Sequence, residues 1–569
     1  MSTPTEDLAF QFISNISLDA YRTLWQGRLE EAKALFTELE RERTENDIEG
    51  YLDELNAYDI ASSSGDIRGG IWNEMHPDPE FREEGATAKK AFIALGSRVS
   101  TSAAIAANLA TFKRTVHQLD EDSKRFLEEW TKELKKGGAF LPIEKQEQVR
   151  QLTKDIQAAA DEYLENIRND KGTLELDADA IRGVPEDYIQ SRPEDPATGK
   201  ITLHHKAADT MPILEYCQVQ ATREKVLLFH NGTASPINEP VLEKLLTLRA
   251  QKAALLGYEN WAEYQLENTM IKSVANVTSF LDDAHDAIRP KAEQEKLQMT
   301  ELLKEKDGVD IQPWDLWYGE TLLKSHLLEG FSLGSTRQYF QIGKVFPALL
   351  QIVERLFCLR FEKIDDVQPW HSSVAASKVY DVSGGKESLI GRLFFDLYPR
   401  DGKLDGAAAY TAPQPTACMS YRNVQTILHE LGHCVHGLVA AHRYADFAGL
   451  GGSEMDFLEV PSQMLELFLT DYRLFDFATN EKGELIPESV LKQLIAADRI
   501  GMRSLSRQVV LAKYAFQKGG DIMNADVATR YRKLILEQVG SRDADDAIIE
   551  FLGRKHDSKA YKEWLSATT

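Results

Sequence analysis

Cysteine is scarce in this chain, with only Cys217, Cys358, Cys418 and Cys434 among 569 residues, and none in a short paired spacing. That argues against a disulfide framework and for reduced thiols in a cytoplasmic protein. Long apolar runs are missing too: no segment approaches the roughly 20 apolar residues of a membrane span. The opening stretch MSTPTEDLAFQFISNISLDAY has neither a basic region nor an apolar core, so no export signal is expected, and the sequons at Asn15, Asn231 and Asn276 are expected to go unused. The closing WLSATT carries no retention, peroxisomal or prenylation pattern. Basic residues are in deficit, 66 Lys and Arg against 90 Asp and Glu, for a net charge of −24. A field of that sign attracts neither nucleic acid nor an anionic membrane. It favours basic peptides only weakly, since acidity of this size is first a solubility feature. There is no internal repeat and no low-complexity linker.

What is present is length and amphipathic helix. A chain this long can form several domains and bury about three quarters of its unfolded surface. Asp122 and Ser123 offer a helix cap, Phe126, Leu127, Trp130 and Leu134 make a stripe, and Gly137 with Gly138 ends it. A second helix opens near Pro142, with Val149, Leu152, Ile156, Tyr163 and Ile167 at near-heptad spacing, and the two are expected to form a helical hairpin. From Gly172 to about Ser235 the pattern turns irregular, with turns and short strands, and His204 and His205 there have no metal-site spacing. Helix returns at Val241 to Leu256, and strands are expected at Ser377 to Val382 and Ser388 to Leu397.

The stretch TILHELGHCVHGL holds His429, Glu430 and His433 as HExxH inside an apolar-periodic run. Val424, Ile427, Leu428, Leu431, Val435, Leu438 and Val439 recur at spacings of three and four, which predicts a helix with a packing face. Residues four apart stand about one turn apart on one side, so two imidazoles can share one metal while the adjacent Glu430 reaches a water. The spacing therefore reads as a zinc hydrolase site.

A catalytic zinc typically has three protein ligands, so a third must come from elsewhere. Downstream, GGSEMDFLEVPSQMLELFLTDY suits a second buried helix entered from the Gly449 to Gly452 loop, with Phe457, Leu458, Leu465, Phe468 and Leu469 apolar. It offers Glu454, Asp456, Glu459 and Glu466. Physics alone does not choose among these, although Glu459, between Leu458 and Val460, is the one expected to be carried into a packed interface, where a buried carboxylate needs a partner. His436, seven residues beyond His429 and so about 10 Å along the axis, is too far to share the metal and reads as a supporting or packing histidine. Cys434 points about 100° away from His433 and reads as a packed thiol.

HELGHCVH followed by DFLEVPSQMLE resembles the thimet oligopeptidase and neurolysin family of zinc metallopeptidases. LRAQKAALLGY (Leu248 to Tyr258), PWDLWY (Pro313 to Tyr318), FFDLYPRDGK (Phe394 to Lys403), RQVVLAK (Arg507 to Lys513), YRKLILEQVGS (Tyr531 to Ser541) and FLGR (Phe551 to Arg554) agree in the same order. The resemblance implies one zinc per chain, held by His429, His433 and Glu459, with Glu430 as general base. Asp456, just before Glu459, is a candidate to accept a hydrogen bond from a ligand imidazole. The implied fold is mainly α: a two-lobed helical ellipsoid with a deep central channel and a small mixed α/β region near the zinc. Residues 1–235 would make an amino-terminal helical lobe with an irregular mixed segment, and 236–569 the catalytic region, with parts of both halves contributing to each lobe. A short unstructured peptide reaches such a buried metal and a folded protein does not, so the expected activity is cleavage of internal bonds in oligopeptides by a monomeric enzyme.

The chain also departs from the family. The interval from Asp401 to His429 is short and lacks a segment that includes a peptide-pairing strand. Between Tyr514 and Tyr531 there is no Gly- and Tyr-rich loop to close over the substrate. Loss of an oxyanion donor costs about 2.7 to 4 kcal/mol, so Tyr410, Tyr421 and Tyr514 are candidate replacements. A more open cleft follows, and with it two alternatives: a zinc protein turned to a non-peptide hydrolytic or biosynthetic reaction, or a catalytically impaired peptide-binding homologue.

Overall fold

Helices form most of the chain, and their ends obey local chemistry. The structure, a computed structural model, describes residues 16–192, 194–328, 333–365, 369–398, 403, 418–498, 500, 523–538 and 540–555. The principal amino-terminal helices are α1 (Leu18–Leu39), α2 (Ile48–Met75), α3 (Pro79–Ser100), α4 (Glu121–Gly137) and α5 (Ile143–Arg168). The α4 cap is Asp120, whose carboxylate accepts the Ser123 N–H at 2.7 Å, rather than Asp122 or Ser123. Gly138, at φ 90°, closes the helix in the left-handed region as expected. Pro142 opens α5. The expected α4–α5 hairpin does not form: α5 packs instead along α7 (Asn238–Leu256), which its Leu152, Ile156 and Tyr163 periodicity serves equally well.

Residues 172–235 are more ordered than the composition predicts. Strands β1 (Thr173–Asp177) and β2 (Lys200–His204) pair antiparallel, Leu174 opposite Leu203, and α6 (Gln220–Asn231) follows. His204 and His205 hold Asp209 and Asp170 and belong to no metal cluster among the described residues. Asp315 of the PWDLWY stretch, fully buried, meets the equally buried Arg223 of α6 at 2.7 and 2.8 Å and also accepts from Gln220. Charge removed from water on both sides is tolerated because each oxygen is bonded, and the pair ties this segment to the start of the carboxyl-terminal half.

The three-stranded antiparallel sheet has the order β3 (Leu359–Lys363), β4 (Ala375–Asp381), β5 (Ser388–Phe395), with Ser377 opposite Leu393. The last two match the expected strands, and β3 was hidden in an apolar run continuous with the preceding helix, α8 (Ile342–Phe357). β5 lies against α9 (Tyr421–Val439), so closely that a Cβ at Gly391 would fall 2.4 Å from a Leu438 methyl. α10 (Glu459–Glu466) packs on the same helix.

Two large buried clusters flank α9. One gathers α9, α10, the sheet and the carboxyl-terminal helices. The other gathers α1 to α4 and also takes in Tyr444 and Phe447, which follow α9. Tyr444 stacks on Phe126 with ring centroids 4.0 Å apart, and its hydroxyl lies 2.6 Å from Ser123 Oγ. The chain leaving α9 is thereby anchored in the amino-terminal helices.

Candidate metal centre

α9 begins at a capping box: Ser420 Oγ accepts the Asn423 N–H and Asn423 Oδ1 accepts the Ser420 N–H. Val424, Ile427, Leu428, Leu431 and Val435 are buried, as the periodicity predicts. His429 and His433 stay partly exposed, with ring centroids 5.0 Å apart and planes at 82°.

α10 reaches them because α9 has a glycine at the crossing. A Cβ on Gly432 would sit 2.5 Å from Ser462 Cα and 3.1 Å from Pro461 O. The buried Ser462 hydroxyl lies 2.9 Å from both the backbone oxygen and Oε2 of Glu459, which holds that carboxylate in place. Glu459 Oε2 is then 3.2 Å from His429 Nε2 and 3.2 Å from His433 Nε2. Two donors each about 2.0–2.2 Å from a tetrahedral zinc stand roughly 3.3 Å apart, so both imidazole–Glu459 separations suit such an ion, and all three donors lie within 4.8 Å of one another.

His429 Nδ1 is 2.7 Å from Glu466 Oε1, which fixes the proton on Nδ1 and leaves the Nε2 lone pair facing the cluster. Burial works against a charged His429 ring, but the Glu466 hydrogen bond and the nearby carboxylates outweigh it and hold the ring above its ordinary value. Glu430, one residue along, makes no hydrogen bond or ion pair among the described residues.

Several expectations need correction. Glu459 is not carried into a packed interface: its side chain is 51% exposed, and it is held by Ser462 rather than by apolar neighbours. Asp456 does not support a ligand imidazole. It precedes α10 and accepts the backbone N–H groups of Met270 and Ile271, and Glu466, seven residues after Glu459 on the same helix face, bonds His429 instead. His436 is wholly buried against Phe457 and is a packing histidine, its ring held down to about 4 by burial and by His433. Tyr421 is buried and donates to Leu469 O, so it cannot reach an oxyanion. Tyr410 and Tyr514 lie outside the described residues, as do RQVVLAK and most of the two shortened intervals.

Beside the cluster is a cavity of about 880 Å³, lined on one side by His433, Cys434 and Gly437 of α9 and on the other by α2, α3 and α4. Its far wall carries Asp59, Glu129, Glu133 and Asp446, which no sequence spacing links. Desolvation and the charge of Asp446 hold Asp59 well above the usual carboxylate range. Cys434 faces this cavity as a neutral thiol, pushed up to about 11 by burial and Glu430.

With this geometry in hand, relatives can be placed. The model of peptidase family M3 matches residues 213–515. The chain belongs to peptidase family M3. Within the M3 peptidases it is similar to the thimet-like oligopeptidase of Dictyostelium discoideum, 25% identical over 461 residues, covering 73% of this chain and 68% of that protein. It is 27% identical over 424 residues to oligopeptidase A of Salmonella typhimurium, covering 67% of this chain and 62% of the other. The chain thus spans about two thirds of the length of these curated relatives. In fold it is similar to the crystal structure of an oligoendopeptidase F from Bacillus anthracis, with a TM-score of 0.52, 10% identity, and coverage of 95% of this chain and 96% of that one.

Two outcomes are expected. Gly432→Ala forces α9 and α10 apart, costing about 1–3 kcal/mol as overpacking does, and pulls Glu459 from the histidines. Thermal unfolding and metal content of the purified variant both report it, and an unchanged zinc content would sink the account. Asp446 is pushed up to about 6 by burial and by Glu129 and Glu133. The folded protein thus holds this proton more tightly than the unfolded chain, so its contribution is full below about pH 4 and is lost as pH rises through 6. Asp446→Asn escapes that loss, and denaturant melts should show a gain of roughly 2 kcal/mol at pH 7.5 that shrinks at pH 4.5.

Proposed function

We propose that this chain is a zinc-dependent oligopeptidase that hydrolyses internal bonds of short unstructured peptides. In this reading His429, His433 and Glu459 hold the zinc and Glu430 is the general base. The observation that carries it is the meeting of two imidazole Nε2 atoms and one carboxylate oxygen beside a second carboxylate with no hydrogen-bond or ion-pair partner among the described residues. Zinc bound there supplies a Lewis acid and a water of lowered pKa. Glu430 takes the proton of the attacking water and returns it to the leaving amine. Glu466 keeps His429 in the tautomer that binds metal, and Ser462 keeps Glu459 aimed.

The cavity beside His433 has room for a few residues of extended chain and none for a folded domain. β5 supports the same substrate class. Its outer edge has no partner strand among the described residues and it lies against the metal helix, where an extended peptide can add its backbone to the sheet. The names of the relatives as oligopeptidases agree with this assignment. We read residues 236–569 as the catalytic region, walled by helices from 1–235. We read the chain as a monomer acting in the cytoplasm, where its free cysteines suit a reducing compartment.

Turnover of a mixed library of short peptides, followed by mass spectrometry, tests the assignment. Glu430→Gln should keep its zinc and lose 100- to 10,000-fold in rate, the usual share of a general base. No cleavage by the zinc-loaded wild type would instead point to a non-peptide substrate. Glu466→Ala should weaken zinc by about 10- to 100-fold in chelator competition, as loss of a partner to a ligand imidazole does.

A further inference from the structure

Beyond the cavity at the metal cluster lies a second pocket of about 210 Å³, at the carboxyl end of α4. The two share Ser100 of α3 and Glu133 of α4 in their walls, but the lining of the second includes no residue of α9, α10 or β5. The helices meet tightly there: a Cβ on Gly137 would fall 1.9 Å from Ser100 O, so backbone packing fixes the pocket. Lys252 of α7 lines it with only 8% of the residue exposed. Neither Lys252 nor Lys136 of α4 makes an ion pair or donates a side-chain hydrogen bond among the described residues. Both lean on one ring instead: their Nζ atoms lie 5.5 and 4.8 Å from the centroid of the buried Tyr264. A ring face returns less to an ammonium than the water it has lost, and this one is divided between two.

Nothing else in the walls meets the two charges. Glu133 is the one carboxylate among the lining residues, and it pairs with neither lysine. The last carbonyls of α4 are closed by its own cap, where Gly138 N–H donates to Lys135 O and Ala139 N–H to Leu134 O. Burial and then the charge of Lys136 lower Lys252, with Glu133 the opposing influence. At the rim Arg150, which pairs with Glu147, donates to Thr101 Oγ1 at 3.1 Å. A chain of net charge −24 therefore encloses a small pocket with two ammonium groups against one carboxylate. An anion entering it would relieve a buried cation that has no acceptor.

We propose that this pocket binds a phosphate group, carried by the inorganic ion or by a small phosphomonoester, between Lys136 and Lys252. Neither the metal centre nor the peptidase reading enters the argument. A phosphate offers several acceptor oxygens at once and so takes both ammonium groups together. The two lysines stand on different helices, and the bound anion ties α4 to α7.

Isothermal titration of the zinc-loaded protein with inorganic phosphate, at an ionic strength held constant with chloride, tests the proposal. One ion should bind per chain, and thermal unfolding should move upward with phosphate and not with chloride. Lys252→Met and, separately, the more exposed Lys136→Met should each weaken phosphate on the order of tenfold, the usual worth of one charge-assisted contact. Zinc content should not change in either. Without phosphate, Lys252→Met should melt above the wild type, because the unpaired buried charge is gone. Glycerol 3-phosphate separates the two sources: equal or tighter binding assigns the site to a phosphomonoester, and its exclusion assigns it to the free ion. Absence of saturable phosphate binding overturns the proposal. So does binding that survives both substitutions, which would put the phosphate at the metal cluster, and so does a chloride shift as large as that of phosphate, which would be screening alone.

Discussion

The approach of α10 to α9 at Gly432 is the constraint on which the rest depends. Backbone meets backbone there, Gly432 against Ser462, and no side chain lies between. Everything chemical at the centre is a consequence of that distance. Ser462 can hold Glu459, Glu459 can stand between the two histidines, and Glu466 can reach the back of His429. A larger residue at the crossing would leave every functional group in the chain and take away their meeting.

That contact explains what could and could not be read beforehand. The two histidines were legible because both sit on one helix, where spacing alone determines proximity. Glu459 was picked from four carboxylates by resemblance and stands 3.2 Å from both imidazoles, whereas the burial argument for it fails: its side chain is half open and depends on a serine hydroxyl. Asp456 and Glu466 were both in view, but their roles turn on where α10 begins. With the helix starting at Glu459, Asp456 falls in the turn before it and Glu466 falls two turns along the same face. A boundary error of one turn is enough to exchange them.

The main fold class was legible from periodicity, while partners between helices were not. The stripe on α5 is satisfied by α7 and not by its sequence neighbour α4, because an amphipathic face specifies that it must be covered and not by what. The same limit hid the acidic wall and the lysine pocket. Asp59, Glu129, Asp446 and Lys252 come from four separate segments and share a groove only once the amino-terminal helices dock on the chain that leaves α9.

The turn from Gly449 to Ser453 lies within the connection from α9 to α10, and it is closed from outside. Gly540, near the far end of the chain, packs so tightly on Gly452 that a Cβ there would fall 2.7 Å from its carbonyl oxygen. Arg125 of α4 donates to Gly540 O and lies 3.7 Å from Glu454. Stretches separated by more than 400 residues thus hold the loop that delivers Glu459. Contacts of such sequence separation form late, after the loop-closure entropy has been met. During synthesis both histidines leave the ribosome on a helix long before Gly540 exists, so the growing chain carries the imidazole pair without its clamp, and the three-donor cluster becomes a property of the finished protein alone.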